Sequence, residues 1–335
     1  MIKILQVGMG PLGQKTVKFA LERGFKIVAA CDPAPDKVGR DVGEVCGLKK
    51  IGVRIEPTVD LALKKLAKNK KPEIAVLTTV SSLVKLVPQV EAIAKKKLSI
   101  VSTCEELVYP WRTQPAVSKK LDKICKKYKI ALLGTGVNPG FLMDYLPTVF
   151  TAVSQKVDGI RISRIQDASV RRIPFQQKIG AGLTTAEFRL KEKEGTLRHV
   201  GLAESLDLLA NRMGWKLTKK TETLNPVIAQ KDIASGYKPI PAGIACGVEQ
   251  VAKGYVGERE VITLYFRAAV GEEKSFDTIV VEGEPRINTT IDGGVNGDIA
   301  TCAITLNAID SVLKSAPGLR TMSDVMPVTY FNSKR

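Results

Sequence analysis

Three glycines near the start of the chain constrain its fold more than any other feature. Gly8, Gly10 and Gly13 form the pattern GxGxxG, directly after the apolar stretch 2–7 and directly before a helical pattern over 11–23. In such a strand–turn–helix setting, the first glycine permits a tight turn and the second lets the backbone approach a pyrophosphate. The third allows the helix to pack closely on the strand. The sequence therefore predicts that a parallel sheet covered by helices begins here.

The same turn predicts a dinucleotide site, because the N-terminus of a helix stabilises an anion. Asp32 ends the next strand, 19 residues after Gly13, where an acid binds the adenine-ribose hydroxyls. Asp32 should repel the 2′-phosphate of NADP, which favours NAD(H). Lys37 and Arg40 follow closely and could offset that repulsion, so use of NADP(H) stays open. We expect the cofactor to contact Gly8, Met9, Gly10, Pro11, Leu12, Gly13, Asp32, Lys37, Arg40, Thr78 and Thr79.

Strand and helix patterns alternate through about residue 145, and a different periodicity follows. Stretches 157–166, 260–269 and 276–282 alternate like half-buried antiparallel strands, separated by a helical stretch near 204–213 and by loops. We predict an α/β protein with an N-terminal Rossmann domain over 1–145. An α+β substrate and dimerisation domain with a mainly antiparallel sheet follows over 146–297. A C-terminal helix over about 298–335 is expected to pack back on the first domain.

The charge balance raises the question of a nucleic-acid partner. The chain has 51 Lys and Arg against 34 Asp and Glu, a net charge of +17, and such an excess is typical of nucleic-acid binding. Lysines such as 119–120 and 126–127 lie beside apolar helical stripes, however, and the aromatic residues, 5% of the chain, do not interleave with them. We therefore interpret the lysines as solvated helix faces and expect no nucleic-acid partner.

Other features bound the compartment and the chemistry. No apolar run reaches the ~20 residues of a membrane-spanning helix, so we expect no membrane partner. The six cysteines are scattered without a CxxC pair, which favours reduced thiols in the cytoplasm. The single histidine, His199, argues against a metal site. It lies in a segment rich in Lys and Glu, and we interpret it as a surface residue.

Two loops at the carboxyl ends of predicted strands carry candidate site residues. The loop after strand 99–102 holds the adjacent carboxylates Glu105 and Glu106, near the crevice where the reactive ring of a dinucleotide lies. Adjacent acids can also simply stabilise the start of a helix. In the turn GTGVNPGF, Asn138 could orient the substrate or the nicotinamide amide, and Phe141 could form a wall of the substrate pocket.

A third candidate region is the strand 160–166. Period 2 places Arg164 and Gln166 on the same face as two isoleucines, which points them into protein or cleft. A buried guanidinium needs a carboxylate partner. That partner is either an internal acid or a substrate carboxylate, and the sequence leaves both open.

Six segments that span both domains carry a family resemblance: GMGPLGQ, CDPAPDKVGRDVGEVCGL, STCEELVYPW, GTGVNPGFLMD, QDASVRRIPFQQKIGAG and GDIATCAITLNAIDSVLKSAPGLRTMSDVMP. Together they resemble the 2,4-diaminopentanoate dehydrogenases and the native NAD(P)-dependent amine dehydrogenases of the dihydrodipicolinate-reductase-like group. The resemblance implies oxidative deamination of a primary amine and the reverse reductive amination of a ketone or aldehyde with ammonia, by a homodimer.

Departures from neighbouring families sharpen the expected role of the acidic loop. A dihydrodipicolinate reductase carries a histidine-rich motif that this chain lacks, and a homoserine dehydrogenase carries a lysine where this chain has Glu105. A carboxylate there suits a cationic iminium intermediate, whose charge it stabilises and whose protons it can shuttle. We expect Glu105, with Glu106 as second choice, to be the catalytic residue. A diamino-acid substrate and a non-catalytic dinucleotide sensor remain the alternatives.

Overall fold

Two units divide the chain in this computed structural model, which describes residues 1–64, 66–67, 71–197 and 199–333. Unit 1 comprises Met1–Phe141 and Asn296–Arg335, and unit 2 comprises Leu142–Val295. The boundaries expected from the sequence, after residues 145 and 297, differ from these by a few residues. Within the described residues, no helix combines the length and the apolar character needed to cross a membrane.

Unit 1 is built on a parallel sheet of seven strands in the order β13-β6-β5-β4-β1-β2-β3. The order reverses direction between β1 and β4, which creates the crevice at their carboxyl ends that binds dinucleotides in Rossmann folds. The predicted Rossmann domain is confirmed. Its strands are β1 (Lys3–Val7), β2 (Lys26–Cys31), β3 (Ile55–Glu56), β4 (Ile74–Leu77), β5 (Ser99–Ser102), β6 (Ala131–Gly134) and β13 (Gly318–Arg320).

The long helices of unit 1 bury apolar side chains against this sheet. In α4, for example, buried residues recur at Leu83, Leu86, Val90 and Ile93, the spacing of one helix face. The core of the unit includes these side chains and residues of the strands β1, β2, β4, β5, β6 and β13. The helices are α1 (Pro11–Glu22), α2 (Val42–Val45), α3 (Val59–Lys64), α4 (Leu83–Ala94), α5 (Pro110–Thr113), α6 (Pro115–Tyr128) and α11 (Gly297–Leu313).

The C-terminal segment differs from the predicted helix over 298–335, of which residues 334–335 lie outside the described part. Helix α11 packs against α1 and the strands β4, β5 and β6, but it ends at Leu313. The chain then turns through Pro317 and Gly318, which has φ +137°, and continues as β13 beside β6. Proline cannot continue a helix, and this conformation favours glycine. The expectation of one long helix was therefore wrong.

Unit 2 contains a mixed sheet of six strands in the order β12-β11-β7-β10-β9-β8. Its pairs are antiparallel except that β7 and β10 run parallel. The mainly antiparallel sheet is as predicted, but the two strands first recognised in the sequence pair in parallel. The strands are β7 (Lys156–Asp167), β8 (Lys219–Ile228), β9 (Ala245–Val256), β10 (Arg259–Ala269), β11 (Phe276–Glu284) and β12 (Ile287–Asp292).

Three of these strands, β8, β9 and β12, were not predicted, because breaker residues or a polar composition hid them. Gly247 in β9 has a packing reason: a Cβ there would lie 2.0 Å from the carbonyl oxygen of Ala268 in the neighbouring strand. Pro226 lies in β8, the edge strand of the sheet, where a missing N–H donor is tolerated. Regions predicted as loops thus belong to the sheet.

Helices pack on one face of this sheet. Helix α10 contacts β9 and β10, and helix α7 contacts β11. Along β7 the buried side chains, such as Ile162 and Arg164, alternate with half-buried ones, such as Ser163 and Ile165. The helices of unit 2 are α7 (Tyr145–Phe150), α8 (Ile173–Lys178), α9 (Thr185–Lys193) and α10 (Leu202–Arg212).

Candidate functional site

The glycine turn between β1 and α1 has the close contacts that its sequence implies. Gly8 has φ +91°, and a Cβ there would lie 2.7 Å from the carbonyl oxygen of Thr78. A Cβ at Gly13 would lie 2.1 Å from the carbonyl oxygen of Gly8, whereas a Cβ at Gly10 would meet nothing within 4 Å. Gly8 and Gly13 therefore permit strand and helix to touch, while Gly10 faces open space.

That open space lies at the N-terminus of α1 and fits a pyrophosphate. Pro11 occupies the first helical position. The residue at the cap position is Gly10, and within the described residues no side-chain hydrogen bond caps the helix from that position. The first-turn N–H groups and the helix dipole thus remain directed at a ligand position, where a negative charge is stabilised. A side chain at position 10 would fill this cradle, so the residues present suit a dinucleotide.

Asp32 directly follows β2 and lies beside the glycine turn. Its Oδ2 accepts a hydrogen bond from the Met9 N–H at 2.7 Å, and its Oδ1 accepts one from the Ala34 N–H at 2.9 Å. The ammonium of Lys37 lies 3.5 Å from Oδ2. Arg40 lies apart, because its guanidinium donates to the Asp36 carbonyl oxygen at 3.3 Å. One of the two predicted cations is therefore in contact with the acid.

A cleft of about 630 Å³ opens beside this acid. It brings together six of the predicted cofactor residues, whereas the Met9 side chain is fully buried and Pro11, Leu12, Gly13 and Arg40 lie outside its lining. Apolar side chains that the sequence analysis did not single out complete it, as the flat base of a nucleotide requires. The lining consists of Val7, Gly8, Gly10, Cys31, Asp32, Pro33, Lys37, Pro57, Thr58, Val59, Thr78, Thr79, Val80, Pro88, Gln89 and Ala92.

Hydrogen bonds of Thr78, Thr79 and Gln6, a residue that the sequence analysis did not single out, lie at or beside the turn. Thr78 Oγ1 lies 3.0 Å from the Gly8 carbonyl oxygen, and Thr79 Oγ1 donates to Gln89 Oε1 at 2.7 Å. Gln6, only 1% exposed, donates from Nε2 to the Gly8 carbonyl oxygen at 2.9 Å and to Thr78 Oγ1 at 2.8 Å. The only signal for Gln6 was a polar residue inside an apolar strand.

The two adjacent glutamates lie at the carboxyl edge of the sheet, where Glu106 makes two well-defined hydrogen bonds. Both lie in a 3₁₀ turn, Glu105–Leu107, just beyond the carboxyl end of β5, and both are half-buried. Glu106 Oε2 accepts hydrogen bonds from the Leu83 N–H and from Gln114 Nε2, each at 2.8 Å. Its carboxylate is therefore engaged by the start of α4 and by the residue that precedes α6.

The turn with Asn138 and Phe141 follows β6, the strand next to β5. The Val137 N–H donates to Thr301 Oγ1 of α11 at 3.2 Å, and the half-buried Asn138 precedes a cis peptide bond to Pro139. Phe141 is likewise half-buried. Because neighbouring parallel strands end at the same edge, this turn and the Glu105 turn share the carboxyl edge of the sheet in unit 1.

In unit 2, Arg164 belongs to a row of neighbouring positions across four strands. Register pairs Asp277 of β11 with Arg164 of β7, Arg164 with Phe266 of β10, and Phe266 with Gln250 of β9. All four are at most 2% exposed. We call Asp277, Arg164, Phe266 and Gln250 the polar row, since three of its four members are polar although all four are buried.

Arg164 has an internal partner, which is one of the two alternatives that the sequence left open. Its Nη1 donates to Asp277 Oδ1 at 2.7 Å and its Nη2 to the Val295 carbonyl oxygen at 2.8 Å. Burial lowers the pKa of Arg164 to about 10, against the opposing effect of Asp277, so the guanidinium stays charged at neutral pH. Gln166 Nε2 donates to the same carbonyl oxygen at 2.9 Å, and Gln166 Oε1 accepts from Arg171 at 3.1 Å. The side chains of Arg164 and Gln166 thus make hydrogen bonds to other groups of the protein.

His199 is not the solvated surface residue that the sequence predicted. Its ring stacks on Phe266 with centroids 4.3 Å apart, and the backbone N–H of His199 donates to Gln250 Oε1 at 2.8 Å. Burial lowers the pKa of His199 well below 6.5, and the positive charges of Lys178, Arg164 and Arg171 lower it further. The stacking partner lies 67 residues away in the chain, so local composition gave no signal for it.

Metal ligation has no candidate group in the part of the chain that the structure describes. There, no three side chains of His, Cys, Asp or Glu type are arranged to hold an ion.

Comparison with known proteins yields one family and several relatives. Residues 141–334 match the model of the 2,4-diaminopentanoate dehydrogenase C-terminal domain. A 2,4-diaminopentanoate dehydrogenase from Acetoanaerobium sticklandii is 29% identical over 337 residues, which cover 97% of this chain and 93% of the relative.

Two solved structures share the fold. An amine dehydrogenase from Mycobacterium smegmatis is similar with a TM-score of 0.87 at 24% identity, over 99% of this chain and 98% of that chain. A biliverdin reductase from Synechocystis sp. PCC 6803, solved with biliverdin and NADP⁺, has a TM-score of 0.51 at 11% identity, over 92% and 90%. At these identities the likeness concerns architecture alone.

Proposed function

The chain belongs to the 2,4-diaminopentanoate dehydrogenase family, and from this premise we propose the reaction that it catalyses. It is a nicotinamide-dependent oxidoreductase acting on CH–NH₂ groups, as the sequence resemblance indicated. We propose that it converts a ketone or aldehyde and ammonia to a primary amine through an iminium ion, and runs the reverse deamination. The observation that carries this proposal is the family match over 141–334.

Glu105 is the proposed catalytic residue. Addition of ammonia to the carbonyl gives a carbinolamine, which loses water after a proton transfer and leaves a cationic iminium. A carboxylate can accept the proton from nitrogen, return it to the departing hydroxyl and stabilise the positive charge. A nicotinamide held in the cofactor cleft would supply the hydride. The position of the Glu105 turn just beyond the carboxyl end of β5, at the edge of the sheet where the reactive ring of a dinucleotide lies, supports Glu105 for this role.

Use of both NAD(H) and NADP(H) is the proposed cofactor range. Asp32 lies where an acid accepts hydrogen bonds from ribose hydroxyls, which favours NAD(H). The ammonium of Lys37, 3.5 Å from this carboxylate, offsets part of the repulsion that the acid would exert on a 2′-phosphate. The side chain of Lys37 thus supports tolerance of NADP(H).

For the substrate we propose small ketones and aldehydes first. The carboxylate of Asp277 already holds Arg164, so the guanidinium is accounted for without a substrate carboxylate. A second candidate is the diamino acid 2,4-diaminopentanoate, favoured by the family and by the relative from Acetoanaerobium sticklandii.

One screen tests the function and separates the substrates. Purified chain is mixed with ammonia, NADH or NADPH, and either a simple ketone or 2-amino-4-oxopentanoate, and nicotinamide oxidation is followed at 340 nm. Ammonia-dependent oxidation is expected with both classes, at a rate for simple ketones at least equal to that for the amino-keto acid. Cofactor binding without oxidation for any carbonyl compound would instead indicate a dinucleotide sensor.

A homodimer through the sheet of unit 2 is the proposed assembly. The face opposite α7 and α10 carries half-buried side chains such as Ile165, Val251, Tyr265 and Val280, a mixture of apolar and polar groups typical of subunit interfaces. Sedimentation should give a dimer at micromolar concentration. A monomer at that concentration would contradict the assembly.

The cytoplasm is the proposed compartment. All six cysteines are buried, and within the described residues none of them forms a disulfide, as is usual where the thiol pool is reduced.

A further inference from the structure

Glu106 connects two parts of the proposed active site that are distant in sequence. Its carboxylate receives the N–H of Leu83, the first residue of α4, at 2.8 Å. Ser82, the residue at the cap position, makes no such side-chain contact. Helix α4 also supplies Pro88, Gln89 and Ala92 to the cofactor cleft. A residue next to the proposed catalytic carboxylate thus caps the helix that lines the cofactor cleft.

The turn that holds both glutamates is fixed on two further sides. On one side, the Glu106 N–H and the Cys104 thiol approach the Ser81 carbonyl oxygen, at 3.4 Å and 3.1 Å. On the other side, Leu107 lies close to Gly134 of β6. A Cβ at Gly134 would come within 2.7 Å of the Leu107 backbone. The Glu106 carboxylate supplies the third attachment, and Gln114 Nε2 donates to it at 2.8 Å.

We propose that Glu106 is a positioning residue for reductive amination, which holds the Glu105 turn in register with helix α4 and hence with the cofactor cleft. This inference rests on the proposed function of Glu105. Acid–base catalysis requires the carboxylate within hydrogen-bond reach of the reacting atoms. A displacement of 1 Å can lower a rate by ~10². Glu106 acts through the position of its neighbour and needs no contact with substrate.

The Glu106 contacts predict how conservative and disruptive substitutions differ. In Glu106→Gln the amide oxygen can occupy the position of Oε2, where it still accepts from both the Leu83 N–H and Gln114 Nε2. In Glu106→Ala both attachments are lost. Gln114→Leu removes only one attachment and leaves the capping of α4 intact, so it provides a second test if Glu106→Ala does not fold.

The experiment measures amination kinetics, NADH affinity and thermal melting for these variants and for Glu105→Gln. Glu106→Ala should lower kcat about 10- to 100-fold while the Kd of NADH stays within about threefold, because misplacement affects chemistry more than binding. Glu106→Gln should restore kcat to within about threefold, since its contacts are kept. Gln114→Leu should lower kcat less than Glu106→Ala does. The variant that combines Glu106→Ala with Gln114→Leu should be no slower than Glu106→Ala alone, because Gln114 acts through its contact with Glu106.

Three outcomes would overturn the inference. The first is an unchanged kcat in folded Glu106→Ala or, if that variant does not fold, in Gln114→Leu. The second is a lowered melting temperature with unchanged turnover. The third is a loss of kcat in Glu106→Gln as large as the loss in Glu105→Gln. The last result would make Glu106 the catalytic carboxylate. Failure of the proposed function is distinguishable, because it would show as full activity in Glu105→Gln or as no amination by the unmodified chain.

Discussion

The cofactor cleft of unit 1 and the polar row of unit 2 are assembled from different kinds of interaction. In the cleft, Gly8, Gly10 and Gly13 lie within six residues of one another, and their backbone contacts follow from their spacing. In the polar row, Asp277, Arg164, Phe266 and Gln250 come from four strands that are up to 113 residues apart.

The difference shows which kind of site a sequence motif can describe. A glycine turn encodes much of its geometry locally, because a Cβ at Gly13 would meet the carbonyl oxygen of Gly8 five residues earlier, whereas the contact of Gly8 is with Thr78 beyond β4. A row across a sheet depends on which strands pair and in what register, and a shift by one residue would turn every member to the other face. The geometry of the cofactor cleft can therefore be predicted from composition and spacing, whereas that of the polar row follows only from the strand topology.

Glu105→Gln should give the largest effect and tests the chemistry beside the cleft. The substitution keeps the shape but removes the negative charge and the proton acceptor, so the amination rate should fall by ~10²–10⁴. Steady-state kinetics at saturating ammonia and ketone would measure it, with NADH affinity unchanged. Glu91→Gln, which alters a surface carboxylate of α4, is the control. Equal turnover in Glu105→Gln and the unmodified chain would remove Glu105 from the mechanism.

Arg164→Met tests whether the polar row is structural. Removing one partner leaves the Asp277 carboxylate buried and uncompensated, which should lower the free energy of unfolding by about 3–5 kcal/mol. Denaturant unfolding would measure the loss. Arg161→Met, on the same strand but exposed, should change stability little. If Arg164→Met kept full stability and lost activity only on amino-keto acids, Arg164 would be a receptor for the substrate carboxylate.

Asp32→Ala tests the electrostatics of the cleft. Loss of a charged acceptor for the ribose hydroxyls is worth about 1.5–3 kcal/mol, so the Kd of NADH should rise at least about tenfold. The Kd of NADPH should rise less, because the variant also removes a charge that repels the 2′-phosphate. Fluorescence titration of both cofactors would measure this, with the exposed Asp36→Ala as control. Unchanged affinity for both cofactors would take Asp32 out of the site.

His199 gives the smallest expected effect and reports on the polar row without disturbing it. Burial and the charges of Lys178, Arg164 and Arg171 hold its pKa well below 6.5, so the imidazole should stay neutral between pH 6.5 and 8. Since the chain has one histidine, a single ring NMR signal measures this directly. The unfolded chain protonates this group near its ordinary pKa, so its contribution to stability is present above about pH 6.5 and declines below it.

Lys178→Gln should raise the pKa of His199, and Lys193→Gln, an exposed position at the end of α9, should not. A ring signal that titrates near pH 6.5 in the unmodified chain would show that His199 is solvated after all.

The sequence predicted what local spacing controls and missed what long-range pairing controls. The turn at Gly8, the acid at Asp32 and the Rossmann order followed from motif and alternation. The sequence did not predict β9, where Gly247 approaches a neighbouring strand, or β13, which follows α11 where the C-terminal helix was expected to extend to about residue 335. It also failed at His199, whose stacking partner is remote. For Arg164 the sequence identified a buried guanidinium, but only the register of β7 with β11 identified its partner.

Transfer of deuterium tests the central claim, reductive amination by this chain, most directly. The purified protein is incubated with ammonia, a small ketone and NAD(P)H that carries deuterium at the transferable position, and the product is analysed by mass spectrometry. The account predicts a primary amine with one deuterium on the carbon that bears nitrogen, formed only when ammonia is present. Formation of a deuterated alcohol, or of no deuterated product with any small ketone or amino-keto acid, would contradict it.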